Sequence, residues 1–180
     1  MAKGSSFERE ICKELSLWYT GGERDDIFWR TSISGGRATQ RAKSGKKTAG
    51  SCGDVAAIDP IGEPFVGSFS IELKRGYTSS VDILDLLDSK KKLPTMAAFF
   101  LQAEEDRIKA DKKYTMVIFK RDMKRKCIMF CLNSWWDIFS DQIDSDNDAH
   151  VIYFGEPPFV VMRLEDFFRS VKPKDVLEAL

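Results

Sequence analysis

Glu72 and Lys74 stand two residues apart in the run FSIELKRGY, residues 69–77, where Phe69, Ile71 and Leu73 alternate as the buried face of a strand. Residues two apart in a strand share a face, so the carboxylate and the ammonium point the same way, with Ile71 and Leu73 against the core behind them. Asp54 opens an earlier strand-like run, DVAAID. If the two runs pair as neighbouring strands, Asp54 comes within reach of Glu72. Two carboxylates held close repel, and the arrangement favours a divalent cation between them. Oxygen ligands without histidine or thiolate suit Mg²⁺ or Mn²⁺. Lys74 beside such a cation could hold an attacking water or neutralise charge growing on a phosphate. The plainer account of the same residues is a cross-face ion pair on a half-exposed strand, which contributes little energy.

Composition narrows the chemistry. The chain has four cysteines, Cys12, Cys52, Cys127 and Cys131, with no C-x-x-C pair, and a single histidine, His150. That weighs against a zinc site and against histidine-dependent nuclease, protease and phosphatase mechanisms. Catalysis, if present, falls to carboxylates, lysine and a metal. At 180 residues, 43% hydrophobic and 31% charged, one soluble domain is the economical arrangement. No apolar run is long enough to cross a bilayer and MAKGSSFERE lacks a signal-peptide core, so the expected location is a cytoplasm, the host's if the protein is viral. The net charge of +0 argues by itself against a tight electrostatic DNA binder. Its distribution points the other way. RATQRAKSGKK, residues 37–47, holds only basic and neutral residues, and DSDND at 144–148 carries compensating acid. A neutral total can conceal a basic face.

The elements that must position these residues follow from periodicity. Ser5 followed by Glu8 predicts a capping box opening a helix that runs to about Tyr19, where Gly-Gly stops it. Phe7, Ile11, Leu15 and Trp18 form its apolar stripe, and Glu8 projects into that stripe; Glu14 lies at its other edge. A carboxylate on an inward face needs a reason, which is either the capping box or chemistry. IFWRTS reads as a strand and residues 34–53 as a long basic loop. DVAAID and FVGSFSIELK read as two more strands separated by a turn at PIGEP. VDILDLLDSKKK reads as a short amphipathic helix with Asp82, Asp85 and Asp88 on a solvated face, and Pro94 opens a longer helix through MAAFFLQAEEDRIKA. YTMVIFKR and KCIMFCL make a hairpin, SWWDIF a helix, HVIYF and FVVMRL strands, and LEDFFRSV and PKDVLEAL helices. The order predicts an α/β protein, a mixed sheet flanked by helices. Arg37, Arg41, Lys43, Lys46 and Lys47 read as phosphate contacts on a loop that orders on DNA, or else as a solvated linker. Trp135 and Trp136 read as core or subunit interface rather than base-stacking platforms.

The set GDV at 53–55 and IELK at 71–74 resembles the metal-binding core of the PD-(D/E)XK nuclease superfamily. KGSSFERE is similar to the helix opening of archaeal-type Holliday junction resolvases, and SISGG, residues 32–36, to the Ser-Gly loop those resolvases place near the scissile phosphate. The likeness covers roughly the first hundred residues and extends to related phage nucleases. It implies a restriction-endonuclease-like fold and a Mg²⁺- or Mn²⁺-dependent endonuclease acting on DNA, branched DNA included. Asp54 and Glu72 would then be metal ligands, Lys74 the catalytic lysine, and Glu8 a helix carboxylate acting on the attacking water or a second ion. Ser34 would contact the phosphate backbone, with Arg75 a further DNA contact and Gln102 a polar residue facing the site. A homodimer is implied in the same way. Gly53 stands where the motif often has proline, and the segments before and after Asp54 are longer than in the small resolvases. A nicking, restriction or repair nuclease on linear or flapped DNA is therefore an alternative, as is an inactive DNA-binding protein of the same fold. Residues after about Tyr114 would complete the sheet, form the dimer contact or select the substrate.

Overall fold

The stripe Phe7, Ile11, Leu15 and Trp18 has to be buried, and it determines where the first element lies. Helix α1 (Lys3–Tyr19) turns this stripe inward, leaving Phe7, Ile11 and Leu15 almost wholly inaccessible. Such burial contributes about 1.5–3 kcal/mol per large apolar side chain. The computed structural model describes residues 3–31, 53–77, 95–139, 149–153 and 157–180. The helix already runs at Lys3, so Ser5 lies inside its first turn and is not the N-cap expected from the Ser5/Glu8 pattern. Its other end matches expectation. Gly21 adopts φ +65°, and the N–H groups of Gly22 and Gly21 donate to the Leu17 and Trp18 carbonyls at 2.7 and 3.2 Å. This is a Schellman closure, in which the left-handed residue favours glycine.

Ser16 connects this helix to the next element. Its Oγ donates to the Cys12 carbonyl at 2.7 Å and accepts the N–H groups of Ile27 and Phe28 at 3.1 and 2.9 Å. Strand β1 (Phe28–Arg30) is thereby held on α1. It pairs antiparallel with β2 (Val55–Ala57), Arg30 opposite Val55.

Two expectations are corrected here. The run FVGSFSIELK is not strand throughout. After a 3₁₀ turn at Pro60–Gly62, residues Glu63–Ser68 form helix α2, and strand β3 is Phe69–Tyr77. Pro64 presets the helical φ in the first turn of α2. At its far end Lys112 Nζ donates to the carbonyls of Val66 and Phe69 at 2.6 and 3.0 Å, satisfying acceptors that the helix leaves open. Secondly, β2 is not a ladder neighbour of β3; β1 and β2 form a separate two-stranded ribbon. The link to β3 lies one residue before β2, where the Asp54 N–H donates to the Ile71 carbonyl at 2.7 Å.

The main sheet has the order β3-β4-β5-β7-β6, built with β4 (Tyr114–Arg121), β5 (Lys126–Cys131), β6 (His150–Ile152) and β7 (Phe159–Arg163). Helix α3 (Thr95–Lys109) precedes β4, which runs parallel to β3; the other pairs are antiparallel. Helices α4 (Leu132–Ile138), α5 (Leu164–Ser170) and α6 (Pro173–Glu178) complete the described elements. Strand alternation gives the sheet two apolar faces. Ile71, Leu73, Met116, Ile118, Ile128 and Met162 join the core with α1 and α5. Val117, Phe119, Met129 and Phe159 pack with Met96, Phe99 and Phe100 of α3. This is a mixed sheet flanked by helices, as expected. Trp135 is buried and Trp136 exposed. The run VDILDLLDSKKK, residues 34–52 of the basic loop and DSDND lie outside the described residues.

Candidate active site

Alternation along β3 turns Ile71 and Leu73 to the α1 side and leaves Glu72 and Lys74 on the α3 side. Lys74 Nζ donates to Glu72 Oε1 at 2.7 Å and to Gln102 Oε1 on α3 at 3.3 Å. The ammonium also lies 5.8 Å from the centre of the Phe99 ring. The Glu72 and Lys74 side chains are only 17% and 15% exposed, which is far from the solvated edge of an ordinary surface ion pair. Gln102 thus faces the pair.

Asp54 reaches β3 by a different route from the strand pairing expected. Its N–H bonds the Ile71 carbonyl, and its Oδ2 accepts the Leu73 N–H at 2.9 Å. Asp54 is therefore tied to the β3 backbone on both sides of Glu72, by its main-chain N–H at Ile71 and by its carboxylate at Leu73. Thr31 braces the same segment, donating its N–H to the Asp54 carbonyl at 2.9 Å and its Oγ1 to the Gly53 carbonyl at 3.1 Å. Gly53 has φ +86°, and a Cβ there would lie 2.6 Å from the Ile71 carbonyl oxygen. Proline, locked near φ −65°, cannot take this conformation, which accounts for the glycine where the motif often has proline.

Glu8 projects from α1 toward β1. Its Oε2 lies 3.4 Å from Arg30 Nε and, although buried, makes no hydrogen bond. Burial raises the Asp54 carboxyl above the ordinary carboxylate range; the Leu73 N–H opposes the rise and the Glu8 charge adds to it. Burial raises Glu72 as well, the Asp54 charge adds to this, and Lys74 opposes it. Cys12, fully buried beneath these carboxylates, is pushed up to about 12 by burial and by the Glu8 and Asp54 charges. It stays a thiol and offers neither a ligand nor a nucleophile.

The donor set is all oxygen, two members repel one another, and one buried oxygen lacks a donor. These properties fit a hard divalent cation such as Mg²⁺ or Mn²⁺ at Asp54 and Glu72, with Glu8 adjoining. Among the described residues no three His, Cys, Asp or Glu side chains form a ready-made cage. The carboxylates are an open array around β3.

Other assignments fall elsewhere. Arg75 points to the opposite face of β3 from Lys74, 3.9 Å from Glu10 and 5.7 Å from the centre of the Phe7 ring. Glu14 pairs with Lys126, away from Asp54. Ser34, Arg37, Arg41, Lys43, Lys46 and Lys47 lie outside the described residues. Three residues at the site escaped sequence reasoning: Arg30 beside Glu8, Thr31 bracing Asp54, and Asp106, whose charge adds to the rise at Glu72. Arg30 shares the inward face of β1 with buried Phe28, so the rule that singled out Glu8 would have found it.

No helix among the described residues is long and apolar enough to cross a membrane. Residues 1–178 match the model of a family described as "Phage putative PDDEXK endonuclease". No curated protein and no solved structure matches the chain. The mixed five-stranded sheet with helices on both faces is the restriction-endonuclease-like arrangement of that superfamily. With all but its last two residues accounted for, the chain belongs to the phage PD-(D/E)XK endonuclease family.

Proposed function

We propose that the protein is a divalent-cation-dependent endonuclease that hydrolyses DNA phosphodiesters at Asp54, Glu72 and Lys74, with selectivity for branched DNA of the Holliday junction type. The observation that carries the chemistry is the attachment of Asp54 to the Leu73 N–H, between Glu72 and Lys74 in sequence, while Lys74 Nζ rests on Glu72. When bound by Asp54 and Glu72, Mg²⁺ or Mn²⁺ supplies charge to polarise the scissile phosphate and make water a better nucleophile. The protein's own groups do the positioning. Lys74, held by Glu72 and Gln102, presents an ammonium to the negative charge that grows on phosphorus-bound oxygen as water adds. Glu8, with its unbonded oxygen, is placed to accept a proton from the water. The new O–P bond forms in line with the breaking P–O3′ bond, leaving a 5′-phosphate and a 3′-oxygen that takes a proton from solvent water to become the 3′-hydroxyl.

Branched-DNA selectivity and action as a homodimer rest on the likeness of KGSSFERE and SISGG to the resolvases. The test is Mg²⁺-dependent cleavage of a four-way junction and of a linear duplex of the same sequence, with Glu72→Ala alongside. Paired symmetrical cuts in the junction alone, lost in the variant, are the expected result. Equal cutting of both substrates would remove the junction selectivity. Binding without cutting by the wild type would make the chain an inactive DNA-binding protein of this fold.

A further inference from the structure

Strand alternation gives the β1-β2 ribbon two faces. Phe28 and Val55 enter the core and Arg30 turns to Glu8 on α1, which leaves Trp29 and its cross-strand partner Ala56 on the other face. The inward Phe28 is fully buried against Tyr19 and Phe65. Trp29 is 47% exposed and, among the described residues, packs on no other ring. Ala56 opposite it carries only a methyl group and covers little of the indole. Ile58, two residues further along the same face, is 62% exposed. A large aromatic ring half out of water on a three-residue strand adds little to folding. Tryptophan in such a place, with an apolar body and a polar tip, is characteristic of contact surfaces.

This outward face is the one on which the candidate site stands. Val55 shares the core with Ile71 and Leu73, so its neighbours Asp54 and Ala56 are turned the other way, as Glu72 and Lys74 are on β3. The Asp54 charge accordingly bears on Glu72. Cross-strand pairing continues past the end of β2, where the Thr31 N–H donates to the Asp54 carbonyl at 2.9 Å. With Trp29 opposite Ala56, Trp29 and Asp54 are diagonal neighbours on one face of the ribbon. Such neighbours lie about 7–8 Å apart, within reach of an aromatic side chain. That is a step a single nucleotide can span.

We propose that Trp29 is a stacking platform for a nucleobase whose face is free beside the scissile phosphate, as at a branch point or a flap. In a continuous duplex each base face is covered by the next pair, so this contact favours DNA in which a face is open. An indole stacks on any of the four bases, which makes the preference one of structure and not of sequence. Position selects the occupant. Whatever sits on Trp29 adjoins the Asp54 carboxylate, and a protein partner there would stand in the substrate's path to it. The inference rests on the endonuclease reading above and gives it a residue that distinguishes branched from continuous DNA.

The test uses the full chain. In a Glu72→Ala background, affinities for a four-way junction, a flapped duplex and a continuous duplex of the same sequence are measured with Trp29 intact and with Trp29→Ala, Trp29→Phe and Trp29→Leu. Trp29→Ala should bind one or both of the branched DNAs about tenfold more weakly, the loss typical of removing one stacked base. Its affinity for the continuous duplex and its melting temperature should change little. Trp29→Phe should restore most of the loss and Trp29→Leu should not, because leucine keeps apolar area without a ring face. With the wild type cutting DNA, unchanged affinity in Trp29→Ala, an equal loss on all three DNAs, or equal rescue by leucine would each overturn this inference alone. A wild type that cuts none of the three would overturn the endonuclease reading and this inference with it.

Discussion

Leu73 donates its backbone N–H to Asp54 Oδ2 at 2.9 Å, and the main-chain bond from Asp54 to Ile71 lies one residue to the other side of Glu72. The position of the Asp54 carboxylate is therefore set by the backbone of the strand that carries Glu72 and Lys74. Gly53 makes this approach possible, since a Cβ would sit 2.6 Å from the Ile71 oxygen in a left-handed conformation. Gly53→Ala should destabilise the fold by more than about 1 kcal/mol and lower cleavage further than the stability loss explains. Melting curves and cleavage rates on the same preparations check this; an unperturbed melting temperature would contradict it.

The raised carboxyls at Asp54 and Glu72 carry a pH signature in the metal-free protein. Their folded-state pKa values lie above the unfolded ones, so in the intervening window the native state binds more protons. The contribution of these two groups to stability is then full below the ordinary carboxylate range and is lost as pH rises through the raised values. Asp54→Asn keeps an acceptor for Leu73 and removes the repulsion. In chelator at neutral pH it should raise the melting temperature by a few °C, the shift that about 1 kcal/mol makes in a chain of this size. Mg²⁺ or Mn²⁺ should stabilise the wild type and have less effect on this variant. Destabilisation of Asp54→Asn in chelator would count against the repulsion.

Arg30 is the one cation placed against Glu8, at 3.4 Å, among the contacts of that carboxylate in the described residues. Arg30→Met should leave Glu8 uncompensated in a mostly buried place and cost on the order of 1–2 kcal/mol, recovered in part by adding Glu8→Gln. A double-mutant cycle in thermal or urea unfolding reads the coupling. Simple additivity of the two changes would show that the pair does not matter.

Lys112 provides a control of purely structural kind. Its Nζ serves the Val66 and Phe69 carbonyls at the junction of α2 and β3. Lys112→Ala should lower stability by about 1–3 kcal/mol, the cost of leaving buried acceptors unpaired, with cleavage by the folded protein unchanged. Loss of cleavage at a temperature where the variant is fully folded would give Lys112 a role that its position does not suggest.

Much of the fold was legible because its elements obey their periods: the 3.6-residue stripe of α1, the alternation in β3, and the hairpin from YTMVIFKR to KCIMFCL. Helix α2 was hidden because Phe65 and Val66 are as apolar as a strand's residues and the element has only six positions, too few for a period to declare itself. The prolines at 60 and 64, each in a first helical turn, were the signal. At the site, Glu72 and Lys74 could be read from one strand, and Gln102 from the likeness to known nucleases. The partnership of Arg30 with Glu8 could not, because it joins β1 to α1 across the fold and leaves no spacing in the sequence. Nor could the attachment of Asp54, which uses backbone bonds to β3 in place of strand pairing.

The most direct measurement is single-turnover nicking of supercoiled plasmid DNA by the wild type and by Lys74→Met, each with Mg²⁺ and with chelator. If Asp54, Glu72 and Lys74 form a cation-dependent hydrolytic centre, the wild type cuts only with the cation. Lys74→Met then binds DNA as before but cuts about 100-fold more slowly or worse, the loss typical of removing a group that stabilises developing charge. Cutting by the wild type in chelator, or by Lys74→Met at the wild-type rate, would contradict it.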